Sequence, residues 1–427
     1  MKRKRRDSRE LRGLPHWPEP VLGGKYVRLL ERCLEGLRDE EAHGNQRLFL
    51  DDVFIVYLLA FFNPTIRSLR TIEDFSQTVE AGRHLSVRKI CRSTLSDFNR
   101  LVDPERLRPL LTVLRAEVKA SSWRGREGEL ATLLQRTIAT DGTFVPATAE
   151  VAWALAVANQ EQLTKRRARL DVQLSVSDWL PEVIVVADAH QSEAESAAHH
   201  IEPGKVYLYD RGFNSYALLN AHYRVKESGP VAEAHFVVRY REAGSNAPAL
   251  TRAQEQPLTE ADRLAGVVSD RVGRFASSKP SRHALLDVPL REVVVEYESA
   301  GQTKRLRLIT NLVEVPAATL AQLYRHRWQI ELFFRWLKCF GNFGHLISHT
   351  REGVLAHFYV TVIGLLLMYL HTGYRPSKYL FALMSQVAAG GATLENVLPI
   401  LRERERQNEL ARQSAARRLA KKKAARL

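Results

Sequence analysis

Three carboxylates are placed where they could do chemistry. Asp141 closes the apolar run RTIATD and is followed by Gly142. Asp210 closes VYLYD and is followed by Arg211, Gly212 and Phe213. Glu331 is the lone acid in YRHRWQIELFFRWLK, residues 324–338, among cations and aromatics. Each aspartate leaves a strand-like run beside a glycine, which lets backbone or ligand approach closely. Strand ends in such sheets are where ligands gather. Carboxylates of this kind suit a hard divalent cation such as Mg2+, which takes oxygen ligands and leaves room for water and phosphate. A pair of such ions about 3.5–4 Å apart activates an oxygen nucleophile and stabilises the leaving oxygen of a phosphodiester.

The cations around Glu331 have their own spacing. On one continuous helix Tyr324, Arg327, Glu331 and Lys338 fall within about 60° of one another, beside an apolar face made of Leu323, Ile330, Phe333, Phe334 and Leu337. Taken alone, this helix reads as a solvated basic face with one incidental Arg327–Glu331 pair, worth only a few tenths of a kcal/mol. The two aspartates change that reading to a partly desolvated site at the edge of the core.

Stepping outward, the elements that must hold these residues change character along the chain. Residues 25–120 have apolar positions at helical spacing, and RSTLSDFNRLVDPERLRPLL predicts a helix capped by Ser93. A helix-turn-helix DNA reader and a plain helical bundle fit this region equally. Between 130 and 230, RTIATD, RLDVQLSVSDWL, PEVIVVADAH and GKVYLYD read as strands, with helices over 192–201 and 214–225. This order predicts a mixed sheet covered by helices. From 232 to 310 strand alternation takes over entirely, in AHFVVRY, GVVSDRV, REVVVEYES and KRLRLIT. Helix then returns from about residue 316. VFIVYLLAFF (53–62) and FYVTVIGLLLMYL (358–370) fall short of the ~18–20 residues of a membrane span and are read as buried core helices.

The totals fit a globular chain with a polyanionic partner. Of the 427 residues, 45% are hydrophobic, and the formal net charge is +15, with a pI of about 9.8. A chain this basic points to nucleic acid. The N-terminal MKRKRRDSRELR is a basic arm, and the residues from Arg402 onward carry ten Lys or Arg against three Glu. Three scattered cysteines, Cys33, Cys91 and Cys339, match neither a disulfide framework nor a zinc site and fit a reducing compartment. The expectation from these is a cytoplasmic protein.

The motifs DGTF at 141, YDRGF at 209 and Y-x2-R-x3-E-x6-K at 324–338 resemble the IS-four type of insertion-sequence transposase, DDE enzymes with a "YREK" signature. The resemblance implies an α/β ribonuclease-H-like mixed sheet with flanking helices, interrupted by an all-β insertion, with helical N- and C-terminal regions. The implied domains are a helical DNA-binding region (1–125), the first part of the catalytic core (126–231), the β insertion (232–310), the second part of the core (311–375) and a helical basic C-terminal region (376–427). Asp141, Asp210 and Glu331 would be the catalytic metal-binding triad, holding two Mg2+ ions for which Mn2+ can substitute. Tyr324, Arg327 and Lys338 would hold DNA phosphate near the cut. The partners would be inverted-repeat ends and target DNA, with a homodimer in the synaptic complex.

Further residues are left with two readings each. Arg211 either neutralises charge beside the metals or salt-bridges. Arg239 and Arg241 either contact phosphate or are merely exposed. Trp328 and Trp336 either stack on a flipped base or pack in the core. The insertion has no Trp, so its candidates for stacking are Phe236, Tyr240, Phe275 and Tyr297. Asp188 and His190 either support the triad or are ordinary loop residues.

Overall fold

The computed structural model describes residues 30, 33–35, 37 and 48–424, apart from 64–65, 67, 80–84, 86, 102, 123–127, 147–154, 159–163, 188–190, 241–249, 276–285, 300, 341–347, 349, 375–376 and 389–390. The basic arm, Arg241, Asp188 and His190 therefore lie outside the described residues. The chain divides into two compact units, one of Met1–Ala120 with Trp336–Leu427, the other of Ser121–Arg335.

The first unit is helical among its described residues. It begins with α1 (Leu50–Phe62), α2 (Leu69–Ser76), α3 (Arg92–Leu101) and α4 (Arg108–Ser122). Ser93 does not cap α3: the helix starts one residue earlier, and the Leu95 amide donates to the Cys91 carbonyl, 3.0 Å. That places Ser93 inside the first turn.

The second unit holds the sheet. In chain order it contains α5 (Glu129–Gln135), β1 (Thr137–Pro146), β2 (Leu155–Ala158), β3 (Thr164–Ser175), β4 (Pro181–Val186), α6 (Glu193–Ala198), β5 (Val206–Tyr209), α7 (Tyr216–Asn220), β6 (Tyr223–Lys226), β7 (Gly229–Ala232), β8 (His235–Tyr240), β9 (Leu250–Glu255), α8 (Glu260–Leu264), β10 (Val267–Phe275), β11 (Leu290–Ser299), β12 (Gln302–Thr310) and α9 (Ala317–Arg325). Next, α10 (Trp328–Phe340) runs across the unit boundary. The first unit then resumes with α11 (Arg351–Thr372), α12 (Lys378–Ala388) and α13 (Leu394–Ala424).

The main sheet has ten strands in the order β2-β3-β1-β5-β8-β12-β11-β10-β9, with β4 also on β3. Strands β1, β3 and β4 are antiparallel neighbours. Strand β5 lies parallel to β1, and β8 parallel to β5. Three antiparallel strands followed by two parallel ones, each reached through a helix-containing connection, is the ribonuclease-H-like arrangement. Within the expected insertion, 232–310, β8 is the strand parallel to β5 and α8 is a short helix, while the other strands extend this sheet: β12 pairs antiparallel with β8 and leads on to β11, β10 and β9. All four residues of β5 are buried, as an apolar strand covered on both faces should be.

Two sequence expectations are corrected here. The helix read over 214–225 stops at Asn220, and Tyr223–Lys226 pairs with Gly229–Ala232 as a hairpin. Ala-Leu-Leu spacing starts the helix, but the Gly229-Pro230 pair opposite supplies a turn and a strand partner. Strand β1 also does not end at Asp141; it stays paired with β3 as far as Pro146.

The two apolar runs are core helices. Their apolar residues go all the way round, which suits full burial. Helix α11 is long and apolar enough to cross a membrane by length and composition, yet 78% of its apolar window is buried. It packs on α1 and α3 and on the 3-10 turn Pro104–Leu107. Gly364 permits the close approach, since a Cβ there would lie 2.7 Å from the Phe61 ring.

Candidate active site

The parallel pairing of β1 and β5 places two of the carboxylates. Ala139 is level with Leu208, and continuing that register sets Asp141 level with Asp210. Side chains alternate along strands, so Ile138, Tyr207 and Tyr209 face the core built with α6 and α7. Asp141 and Asp210 therefore point to the other face. The Asp141 carboxylate accepts the Gly142 amide at 2.9 Å. The Asp210 carboxylate accepts the Gly212 amide at 2.6 Å and caps the short 3-10 turn Arg211–Phe213.

The third carboxylate comes from the helix pair after β12. Here the structure departs from the expected continuous helix. It breaks at His326 and Arg327, where the amides of His326 and Arg327 donate to Leu323 and Tyr324 and those of Gln329 and Ile330 donate to His326 and Arg327. These are i→i+3 turns, which tighten the chain and re-aim the next helix. Tyr324 thus sits in the last turn of α9, Arg327 in the break, and Glu331 in the first turn of α10. The single angular stripe of the sequence reading does not survive, yet three of its residues still converge.

Tyr324 is buried, and its hydroxyl donates to the Tyr209 carbonyl at 3.0 Å, one residue before Asp210. Burial pushes its hydroxyl pKa up; Arg327 and Arg239 pull it down, while Asp210 adds to the rise. The Arg327 guanidinium pairs with Glu331 and approaches Asp141 at 3.6 Å. Burial pushes the Asp141 carboxyl up to about 7, with Asp210 adding to the rise and Arg327 and the Gly142 amide opposing it. One guanidinium therefore bridges the strand carboxylate and the helix carboxylate.

Among the described residues, no group of three or more His, Cys, Asp or Glu is gathered closely enough to hold a metal ion. Carboxylates without a cation between them repel, and here Arg327 provides the opposing charge. The donor chemistry still suits a divalent ion: all-oxygen carboxylates, with Asp141 inside β1 level with Asp210 just past the end of β5, and burial favouring the neutral form of Asp141. These are the donors that Mg2+ or Mn2+ prefers.

Two residues at the site went unnoticed in the sequence. Glu193, in the first turn of α6, and Asp171, on β3, border one cleft together with Asp141, Thr140, Gln173, Ser196 and His200. Burial raises the Glu193 pKa, with Asp171 and Asp210 adding to the rise and Arg169 opposing it. Asp171 is clamped by Arg169, at 2.8 and 3.1 Å. An acid inside the otherwise alternating run RLDVQL was the available signal for Asp171. Glu193 stood hidden in the Ser192–Glu195 capping box.

The remaining candidates separate by exposure. Lys338 is exposed and belongs to the other unit. Trp328 is 51% exposed, whereas Trp336 is buried. Arg211 is exposed. Arg239 is half-buried on β8, and the register Tyr209↔Val238 carries it level with Asp210. Among the insertion aromatics, Phe236 and Tyr240 are core residues, Phe275 packs against Tyr240, and Tyr297 is 38% exposed.

Known proteins resemble parts of this chain. A putative transposase of Sinorhizobium fredii is 31% identical over 159 residues, 37% of this chain and 40% of that one. A probable transposase for an insertion sequence element of Geobacillus stearothermophilus is 35% identical over 76 residues, 18% of this chain and 20% of that one. The chain thus spans less than half the length of these relatives. A piggyBac transposase synaptic complex with hairpin DNA aligns over 89% of this chain and 80% of that chain, at 10% identity and a TM-score of 0.41. Residues 132–367, more than half of the chain and the whole span from β1 to the Glu331 helix, match the transposase DDE domain, and the chain belongs to that family.

Proposed function

We propose that this protein is a transposase of the IS-four type, cutting the ends of an insertion sequence and joining them to target DNA. The observation that carries the reading is the level placement of Asp141 and Asp210 on adjacent parallel strands, with Glu331 linked to Asp141 through Arg327. Asp141, Asp210 and Glu331 would hold two Mg2+ ions, or Mn2+ in their place. Such ions, when bound, activate the attacking oxygen and stabilise the leaving one.

The protein's own residues orient the reaction. Tyr324 ties α9 to the end of β5 and so fixes the entry of the Glu331 helix relative to Asp210. Arg327 holds the carboxylates in the absence of DNA, and its planar fork suits a phosphate once the carboxylates have their cations. Lys338 and the exposed Arg211 and Trp328 are further DNA contacts in this reading, with Arg239 beside Asp210. The sequence of steps would be hydrolysis at the element's end, attack of the freed 3′-hydroxyl on the opposite strand to form a hairpin, reopening, and joining to target DNA within a homodimeric complex of paired ends.

The test is a gel assay with Mg2+ on the cognate inverted-repeat ends. Asp141→Asn, Asp210→Asn and Glu331→Gln should each abolish cleavage while end binding persists. Wild-type cleavage by any one of them sinks the assignment. Binding without cleavage by the unaltered protein would instead mark it as an inactive, DNA-binding descendant.

A further inference from the structure

Trp179 holds a backbone conformation that its side chain disfavours. Its φ is 66°, in the left-handed region, where the Cβ of an ordinary residue crowds the following carbonyl and glycine or asparagine sits with less strain. The turn between β3 and β4 enforces this conformation. The Ser175 amide donates to the Leu180 carbonyl at 2.7 Å, and the Trp179 amide donates to the Ser175 carbonyl at 2.9 Å. The Asp178 carboxylate accepts the Leu180 amide at 3.3 Å. The Val176 amide donates to the carbonyl of Thr137, the first residue of β1, at 2.9 Å. Strain of this kind persists only where the surroundings over-determine it.

The turn aims the indole at α10. The rings of Trp179 and Phe333 meet edge to face, with centroids 5.8 Å apart and planes at 89°, a favoured aromatic geometry. Phe333 is 2% exposed and stands two positions after Glu331. Two positions are about 200° around a helix, so Phe333 is buried on the inner side of α10 while Glu331 lies across the axis from it. Any rotation of the helix that moves one ring position moves the carboxylate by the same angle. The Tyr324 tie does not set this rotation, because it lies before the break at His326 and Arg327. Arg327 joins Glu331 to Asp141 through charge alone, whereas the indole is a packed contact.

We propose that Trp179 is a positioning residue for the active site: the strained β3–β4 turn is a strut whose indole, packed on Phe333, sets the rotation of α10 and with it the place of Glu331. This rests on the reading of Glu331 as a catalytic carboxylate. Because the turn is bonded to the start of β1, the strut refers the helix carboxylate to the same strand that carries Asp141.

The experiment is single-turnover cleavage of the cognate inverted-repeat ends in Mg2+ by the full-length protein, with end affinity and thermal melting recorded for each variant. Trp179→Asn keeps a residue that tolerates the left-handed turn and removes the indole. It should slow cleavage about tenfold or more, as small misplacements of a reacting group do. End affinity should stay unchanged, and melting should stay near the parental value because relieved strain offsets lost packing. Phe333→Leu should slow cleavage as well, and the two together should be no slower than the slower one alone. Trp179→Phe, which keeps an aromatic edge, should recover part of the rate. Parental cleavage by Trp179→Asn, with Glu331→Gln inactive, would overturn the role of Trp179 and leave Glu331 in place. Parental cleavage by Glu331→Gln would overturn the active-site reading itself. A loss in Trp179→Asn that merely tracks its unfolded fraction would reduce the indole to a structural role and overturn the proposal. Should Trp179→Asn fail to fold, Trp179→Phe and Phe333→Leu carry the test, and independent effects of those two on the rate would count against the strut.

Discussion

Burial raises the Asp141 pKa to about 7, with Asp210 adding to the rise and Arg327, 3.6 Å away, opposing it. An unfolded chain would release this proton near the ordinary value of 3.8. Between about pH 4 and 7 the folded state therefore binds a proton that the unfolded state has lost, so metal-free stability falls as pH rises through that window. Asp141→Asn removes the titration. It should flatten the pH dependence of the melting temperature and stabilise the metal-free protein at pH 7.5 by about 1–3 kcal/mol, while abolishing cleavage. Mg2+ should restore the difference in the unaltered protein and not in the variant. Thermal melts across pH, with and without Mg2+, check this. Equal melting curves for the two proteins at all pH values would rule out the strained carboxylate.

At the scale of elements, the site depends on how β12 delivers the chain into α9. Arg291 on β11 is buried and clamps Asp270 on β10 at 2.8 and 2.6 Å, while its remaining nitrogen donates to the Val313 and Val315 carbonyls. Those carbonyls belong to the segment that leads directly into the Tyr324 helix. Asp262 on α8 adds a second tie, accepting the Ala318 amide at 2.8 Å. The insertion strands thus anchor the start of α9 as well as widening the sheet. Asp270→Ala leaves Arg291 charged and buried without its partner and should cost about 3–5 kcal/mol, read from urea unfolding. A loss under 1 kcal/mol would show that the pair is not a buried anchor.

The molecule as a whole is cationic, with a formal net charge of +15. Helix α13 is exposed from Arg402 to Leu410, within a stretch of ten Lys or Arg against three Glu. Arg404 has a structural task there, stacking over the Tyr379 ring at 3.4 Å. If the rest meet DNA phosphates, affinity should fall by about a thousandfold or more between about 50 and 200 mM salt, through counterion release. Replacing the Lys and Arg residues after Arg404 with Gln should shallow that slope without altering the melting temperature. An unchanged slope would remove this helix from the DNA interface.

Much of the site was legible in the sequence because its signals are local. Asp210 follows a four-residue apolar strand, Asp141 precedes a glycine, and the basic aromatic helix carries one acid; each is visible within a few residues. The β1, β3, β4, β5 and β8 strands were likewise readable, since alternation and flanking turn residues are properties of short windows. Other features depend on contacts between distant segments, which no window contains. The break at His326 and Arg327 re-aims Glu331, and just before it Tyr324 bonds the Tyr209 carbonyl, 115 residues away in sequence. The register of β1 against β5 makes two aspartates neighbours. The Glu193 carboxylate, fifty-one positions on, lies 2.3 Å from where a Cβ on Gly142 would be. Sequence determined which carboxylates and cations stand at the candidate positions; only the packing of sheet against helices decided which of them meet, because burial and register bring charges together that the chain itself keeps apart.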